Sequence, residues 1–159
     1  MCYNHPMNNI KLVVSDFDGI FTDGKLTVYS DGKTSKNIDY QDIMAIAILI
    51  KKGIKFAILS GEKSQAIDIL KEKFPVVDTF QNERNKLNIL NTLLEKYNIS
   101  KDETMYLGDD INDIKCLEYV AFPITVPNAH KTVKEIQKIK ITCQTGGNGA
   151  FREAVDMIE

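Results

Sequence analysis

The sequence of 159 residues has no tryptophan, only four prolines and no strong excess of either charge. No run approaches the roughly 18 consecutive apolar residues that a membrane-spanning helix needs, so no membrane partner is expected. With 20 basic and 22 acidic residues, the chain also lacks the clustered basic excess typical of nucleic-acid binding. The expected partner is therefore a small molecule.

Cysteine is scarce as well. The three cysteines, Cys2, Cys116 and Cys143, are widely spaced, odd in number and in no metal-ligand pattern. The first nine residues are polar and lack the basic-then-apolar layout of a secretory signal. Together these absences predict reduced thiols and a cytoplasmic protein.

What the sequence does contain is a regular alternation of short β-rich runs and longer helical patterns. The predicted strands are 11–14, 55–59, 76–80, 104–107 and 122–126, and the predicted helices are 41–52, 63–73, 86–97, 111–119, 129–138 and 149–158. Such alternation predicts an α/β, Rossmann-like fold, with a parallel sheet covered by helices on both faces. We expect an N-terminal extension over residues 1–9 and a single domain over residues 10–159.

One segment interrupts the alternation. Residues 25–38 contain two potential strands around Asp31-Gly32, a turn signal that favours a β-hairpin. A hairpin directly after the first strand would project beyond the end of the sheet. It could act as a flap or an oligomer contact, or it could be a plain surface excursion.

Polar residues follow the predicted strands at four places. Asp16 and Asp18 follow the first strand, Ser60-Gly61 the second, Lys86 the third and Asp109 the fourth. In open α/β sheets, ligands bind in the crevice beyond the carboxyl ends of the strands. Each signal alone is weak, but four at one rim of one sheet indicate a functional site.

These residue types suit phosphoryl transfer. Asp16 and Asp109 offer the carboxylate oxygens that Mg²⁺ prefers, and the cation would offset the repulsion between the acids. Asp16 could then attack phosphorus as a nucleophile, while Asp18 protonates the leaving alcohol and later activates water. The phosphate oxygens would be held by the Ser60 hydroxyl, the Gly61 amide and the Lys86 ammonium.

Four segments together resemble a known family. In order, "DFDGIFTDG", "ILSGEKS", Lys86 in "QNERNK" and "GDDINDIKCL" resemble the motifs of the haloacid dehalogenase superfamily of phosphatases. The likeness continues through "VPNAH" to "GGNGAFRE" and so covers nearly the whole chain after residue 9. It is greatest to the small phosphatases of 3-deoxy-ulosonic acid phosphates, which act on eight- or nine-carbon sugar acids and lack a separate cap domain.

The resemblance implies several properties. Mg²⁺ would be held by Asp16, the backbone carbonyl of Asp18 and Asp109, and Asp113 would orient Lys86 or a metal-bound water. An aspartyl-phosphate intermediate and a role in the biosynthesis of lipopolysaccharide or sialic acid-like sugars are implied too. Such proteins are typically homotetramers, in which the hairpin packs between subunits and residues 146–152 would reach a neighbour's active site.

The chain departs from the eight-carbon pattern at two points. Glu62 stands where an arginine is usual, and Glu62-Lys63 is similar to the pair in the nine-carbon phosphatases, which favours 2-keto-3-deoxynononate 9-phosphate as substrate over 3-deoxy-manno-octulosonate 8-phosphate. An acid there can accept hydrogen bonds from sugar hydroxyls. Asp42 is kept, but bulky residues follow it, so the mouth of the site is expected to differ in shape.

Other interpretations stay open at this stage. Asn112 could support the site or cap the following helix, and Arg152 could serve a neighbouring site or form a surface ion pair. A phospho-accepting signalling module also uses Mg²⁺, Asp and Lys, but its acids would be placed differently along the chain. A catalytically silent oligomerisation domain of sugar-nucleotide metabolism is the third possibility.

Overall fold

A computed structural model describes residues 7–159 of the chain. The strands are β1 (Leu12–Ser15), β2 (Thr27–Val28), β3 (Thr34–Ser35), β4 (Lys55–Leu59), β5 (Asp78–Phe80), β6 (Thr104–Leu107), β7 (Phe122–Thr125) and β8 (Lys140–Ile141). Six of them form one sheet in the order β5-β4-β1-β6-β7-β8, and every neighbouring pair in it is parallel. The predicted parallel sheet is confirmed.

Helices fill the connections between the strands. They are α1 (Tyr40–Lys51), α2 (Gln65–Lys73), α3 (Lys86–Tyr97), α4 (Ile114–Tyr119), α5 (Lys131–Lys134) and α6 (Ala150–Asp156), with 3₁₀ turns at Lys101–Glu103 and Ile111–Asp113. All four residues of β1 are buried. Because successive side chains of a strand point to opposite faces, both faces of the sheet are covered, as predicted.

Several element boundaries differ from the sequence prediction. The strand β8 was not predicted, since two residues carry no detectable periodicity. The predicted helix 129–138 shortens to the single turn of α5, and the predicted helix 111–119 begins with a 3₁₀ turn before α4. β5 begins at Asp78 rather than at Val76, which is exposed.

The hairpin predicted over residues 25–38 is present. β2 and β3 pair antiparallel, and Gly32 takes a left-handed φ of 83° in the turn between them. Between β1 and α1 this hairpin is the only regular structure among the described residues, so no cap domain is inserted there. We refer to residues 25–38 as the flap.

The sheet topology fixes where a site can form. β1 is central, with β4 on one side and β6 on the other. The chain moves outward from β1 through β4 to β5, and then returns to the far side of β1 through β6. The carboxyl ends of these three adjacent strands therefore meet at a topological switch point, where open α/β sheets bind ligands.

The chain ends and the cysteines complete the fold. Met7, in the predicted N-terminal extension, is buried and forms a β-bridge with Ile158. Cys116 is a free, buried thiol, as expected, but Cys143 is disulfide-bonded, so the expectation of reduced thiols is wrong there. Cys2 lies outside the described residues.

Among residues 7–159, no helix has the length and apolar character needed to cross a membrane.

Candidate active site

The acidic turn, residues 16–24, follows β1 directly. Asp16 is only 6% exposed, and its Oδ1 accepts a hydrogen bond of 2.7 Å from the backbone N–H of Phe17. Gly19 lies in the left-handed region at φ 85°, and a side chain on it would overlap the carboxylate of Asp109. The turn therefore needs glycine to let the acids of two strands approach each other.

Asp18 lies two residues further along and is half-buried. Its Oδ1 accepts the hydroxyl of Thr22 at 3.2 Å, and its Oδ2 accepts Lys36 Nζ of the flap at 2.7 Å. The two acids thus have different surroundings. Asp16 is enclosed by the sheet, whereas Asp18 faces the flap.

Lys86, the first residue of α3, connects the acids of two loops. Its fully buried ammonium lies 3.0 Å from Asp16 Oδ1 and 2.8 Å from Asp113 Oδ1. The hydroxyl of Tyr106, also fully buried, donates to the same oxygen of Asp113 at 2.8 Å. The second oxygen of Asp113 accepts the backbone N–H groups of Asp109 and Asp110.

The electrostatics of this network follow from burial and opposite charge. Burial and the nearby Asp113 carboxylate raise the pKa of Asp16 well above its usual value, although Lys86 opposes the rise. Burial alone would lower the pKa of Lys86, but Asp113 and Asp16 outweigh it, so that pKa is raised. Lys86 is therefore a permanent cation at the site.

The carboxylate of Asp109 is the group in the site that most needs a compensating charge. Its Oδ1 is buried and has no hydrogen-bond partner among residues 7–159. Burial and the neighbouring carboxylates of Asp113 and Asp110 raise the pKa of Asp109 to about 7. An unpartnered buried carboxylate oxygen is costly, and a cation would relieve that cost.

The acids are close enough to share one metal ion. Single oxygens of Asp16, Asp109 and Asp113 lie within 4.8 Å of one another. Because Asp113 already accepts Lys86, Tyr106 and two backbone amides, Asp16 and Asp109 are the better ligands, and the donor set suits a hard cation such as Mg²⁺. The predicted ligand role of the Asp18 carbonyl stays a prediction.

The loop after β4 forms the opposite wall. Ser60 is buried, and its hydroxyl exchanges hydrogen bonds with the backbone of Glu62. Gly61 lies next to the side-chain amide of Asn112, so the rims of β4 and β6 meet here. Glu62 is exposed and lines an open cleft of about 700 Å³, together with Asp18, the flap and the start of α2.

Three other predicted residues have supporting positions. Asp42 is completely buried, and its Oδ1 accepts the backbone N–H of Arg152 at 2.8 Å, at the start of α6. The guanidinium of Arg152 pairs with Asp156 one turn along. Asn112 does not cap α4, because Asp110 begins the 3₁₀ turn and Asp113 precedes α4.

The glycine-rich segment 146–149 packs on the acidic turn of its own chain. The N–H of Gly147 donates to the carbonyl of Ile20, and a side chain on Gly146 would overlap the carbonyl of Gly19. Contact of this segment with a neighbouring subunit stays a prediction.

Two residues of the site were not predicted from sequence. Tyr106 is the third residue of a buried strand and is indistinguishable in the sequence from a core aromatic. Lys36 is one of several lysines in a polar hairpin, and nothing in its spacing separates it from the others. Only the fold shows that each donates to an acid of the site.

Comparison with known proteins agrees with this geometry. Residues 61–152 match the family of haloacid dehalogenase-like hydrolases. Since this match spans more than half of the chain, the protein belongs to that family and is an enzyme of the hydrolase class, as the motifs predicted.

Individual proteins similar to this chain include several phosphatases of one group. The 3-deoxy-D-manno-octulosonate 8-phosphate phosphatase of Salmonella typhi is 30% identical over 150 residues, which cover 94% of this chain and 79% of that protein. A crystal structure of the Moraxella catarrhalis enzyme with magnesium, phosphate and KDO is 34% identical with a TM-score of 0.88, covering 94% of this chain and 85% of that one. A cobalt-bound Haemophilus influenzae phosphatase of the same group is 30% identical with a TM-score of 0.86, covering 94% and 86%.

Proposed function

We propose that the protein is a Mg²⁺-dependent phosphatase that hydrolyses the phosphate ester of a 3-deoxy-ulosonic acid through an aspartyl-phosphate intermediate. The observation that carries the proposal is the arrangement of Asp16 and Asp109 around one possible cation position, with Lys86 on Asp16. The likeness to the octulosonate phosphatases supports the substrate class.

In the first step, an oxygen of Asp16 attacks phosphorus and the bond from phosphorus to the sugar oxygen breaks. We assign the attack to Oδ2, because Oδ1 already contacts the Phe17 amide and Lys86. The proton that the leaving sugar oxygen needs comes from Asp18, which faces the cleft. The products are the free sugar acid and a phosphoryl group on Asp16.

In the second step, a water molecule attacks the phosphoryl group. Asp18, now ionised, accepts a proton from that water, and the bond between phosphorus and Asp16 breaks to release inorganic phosphate. Lys86 stabilises the developing charge on the phosphoryl oxygens, and Ser60 and the Gly61 amide lie at the same rim to help hold them. Each residue returns to its starting state.

Mg²⁺ held by Asp16 and Asp109 would neutralise the phosphate charge and orient it for attack.

Glu62 favours the nine-carbon sugar acid over the eight-carbon one. The relatives above act, by their names, on an eight-carbon acid. In this chain the exposed Glu62 lines the cleft beside Asp18, where it can accept hydrogen bonds from the hydroxyls of a longer sugar chain. We therefore propose the nine-carbon 2-keto-3-deoxynononate 9-phosphate as the preferred substrate.

The experiment measures phosphate release from eight- and nine-carbon ulosonate phosphates and from simple sugar phosphates, with and without Mg²⁺. We expect Mg²⁺-dependent turnover of the sugar acid phosphates, and we expect Glu62→Arg to shift preference toward the eight-carbon substrate. An unchanged preference in that variant would remove the argument for nine carbons. Labelling of Asp16 without turnover would instead indicate a signalling module, and absence of both would indicate a silent domain.

The first prediction concerns the nucleophile. Asp16→Asn should lower kcat by about 10³-fold or more, because the amide is a poor nucleophile for phosphorus. The measurement is steady-state phosphate release, with the circular dichroism spectrum as the test of fold. Asp102→Asn, at an exposed acid far along the chain, is the control. Full activity in Asp16→Asn would disprove the mechanism.

A further inference from the structure

Lys36 is the flap residue whose charge reaches Asp18 in the acidic turn. Its Nζ lies 2.7 Å from Asp18 Oδ2, and its side chain also lies over the ring of Phe17, at 5.9 Å from the centroid. Within residues 7–159, no other lysine or arginine forms an ion pair with Asp18. The flap is thus joined to the turn by a charged contact.

The other flap lysines behave differently. The side chains of Lys25 and Lys33 are more than 80% exposed, and within residues 7–159 they pair only with Asp23 and Asp31, which are two residues away in each case. The side chain of Lys36 is only 16% exposed and contacts an acid 18 residues away. Exposed local pairs contribute little, whereas a long-range, partly buried pair holds two chain segments together.

With the contact from Lys36, both oxygens of Asp18 accept a hydrogen bond. Thr22 donates to Oδ1 from within the turn, and Lys36 donates to Oδ2 from the flap. A carboxyl group whose two oxygens each accept a hydrogen bond keeps one orientation, both when it donates a proton in the first step and when it accepts one in the second. Proton transfer to a leaving oxygen depends steeply on such orientation.

We propose that Lys36 is a positioning residue, which sets the orientation of the Asp18 carboxylate for proton transfer and so makes the flap part of the acid–base machinery. This inference rests on the proposed phosphatase function. It assigns to the flap a role in the chemical step, which is separate from any role in subunit contact. Lys36 itself does not exchange a proton with the substrate.

The test uses two substrates that differ in their need for a proton. A sugar or other alkyl phosphate needs protonation of its leaving oxygen, whereas p-nitrophenyl phosphate has a leaving group that departs without it. Steady-state kcat cannot separate the substrates, because the second step uses Asp18 as the base with both of them. The measurement is therefore the pre-steady-state rate at which the leaving group is released in the first step. For the full-length protein with Mg²⁺, we expect Lys36→Met to lower this rate on the alkyl phosphate by about 10- to 100-fold, and on p-nitrophenyl phosphate by less than about 3-fold.

The controls separate positioning from structure and from substrate binding. Lys33→Met removes a charge from the same hairpin and should change neither rate, while Lys36→Arg should restore part of the alkyl rate. Equal losses of the first-step rate on both substrates, no loss on either, or weaker substrate binding at an unchanged first-step rate would each overturn the inference. If Lys36→Met does not fold, Lys36→Gln and Lys36→Arg give the same comparison of the two substrates. If the wild-type protein hydrolyses neither, the proposed function itself has failed.

Discussion

Lys86 contacts Asp16 and Asp113 while having no exposed surface of its own. A buried charge is tolerated only when partners compensate it, and removing one partner of such a group typically costs 3–5 kcal/mol, as an order of magnitude. Three charged groups and the hydroxyl of Tyr106 therefore form one unit. Substitutions within this unit will not have additive effects on activity.

Tyr106→Phe tests this unit with a small change. The variant removes one hydrogen bond to Asp113 Oδ1 and leaves the ring in place, so the free energy of unfolding should fall by about 1 kcal/mol. We expect kcat to fall by about 3- to 30-fold, because Asp113 then holds Lys86 less firmly. Urea denaturation and steady-state kinetics are the measurements.

The matched control is Tyr119→Phe, at a partly exposed tyrosine that makes no hydrogen bond to the site. Tyr119→Phe should leave both the free energy of unfolding and kcat unchanged. An equally active Tyr106→Phe enzyme would show that Lys86 does not depend on this hydroxyl.

Asp109 links pH to metal binding. Its pKa in the folded chain, about 7, is above the usual value of 3.8, so the metal-free folded state holds a proton that the unfolded state releases. The stability from this group is present below about pH 4 and is lost as the pH rises to about 7. Mg²⁺ needs the ionised carboxylate, so we expect its apparent affinity to rise through the same range.

Thermal unfolding at several pH values, with and without Mg²⁺, measures how the stabilisation by Mg²⁺ depends on pH. The stabilisation by Mg²⁺ should be small near pH 5.5 and large near pH 8, as an order-of-magnitude expectation from linkage. Asp109→Asn should lose most of the stabilisation at every pH. A Mg²⁺ effect that is independent of pH would contradict the assignment.

The acids and Lys86 could be predicted from sequence because each follows a recognisable strand or begins a recognisable helix. Tyr106 and Lys36 could not be predicted, since their roles arise from contacts across elements. That Asp109 Oδ1 is buried without a partner among the described residues likewise depends on the three-dimensional packing, which cannot be deduced from the sequence alone.

At the scale of elements, α6 depends on an acid from another helix. Asp42 of α1 is buried beneath the start of α6 and accepts the N–H of Arg152, and its second oxygen has no partner in the described part of the chain. Burial raises the pKa of Asp42 to about 6, although hydrogen bonds from backbone amides of α6 oppose the rise. The ionised carboxylate therefore orients α6 at some cost in stability.

This cost predicts a pH effect with a defined sign. The pKa of Asp42 in the folded protein exceeds the usual value of 3.8. The stability that this group provides is therefore present below about pH 4, and the free energy of unfolding falls by about 3 kcal/mol as the pH rises through about 6. Asp42→Asn should remove that part of the pH dependence. The measurement is urea denaturation of both proteins in Mg²⁺; parallel pH profiles would contradict the prediction.

The longer elements were predictable and the short ones were not. α3 has a regular apolar face, with Leu90 and Leu93 fully buried, and its predicted bounds are confirmed. α5 has four residues and β8 has two, so neither contains enough turns or alternations to give a pattern. β8 is fixed by pairing with β7, and α5 by its contact with the 3₁₀ turn Ile111–Asp113.

At the scale of the whole molecule, the flap and α1 carry five of the large apolar side chains that are more than half exposed in residues 7–159, and the others are spread along the chain. The five are Leu26, Val28 and Tyr29 of the flap and Tyr40 and Met44 of α1. Exposed apolar side chains that lie together mark interaction surfaces. They support the predicted homotetramer with the flap at its contacts, which stays a prediction.

Val28→Glu tests the assembly. A charge in the centre of an apolar interface costs several kcal/mol, so the variant should shift the oligomer toward monomers. Light scattering after size-exclusion chromatography measures the mass. Val76→Glu, at an equally exposed valine outside the flap and α1, should leave the mass unchanged, and an unchanged mass in both would exclude the flap from the contact.

The packing of Gly146 on Gly19 has a consequence for how sequence changes are interpreted. The segment 146–149 supports the backbone of the acidic turn, although more than a hundred residues separate the two in the chain. A bulkier residue at 146 would have to push that turn out of line. A substitution at position 146 would then produce an inactive enzyme with a largely intact fold, a defect that an expression screen would not detect.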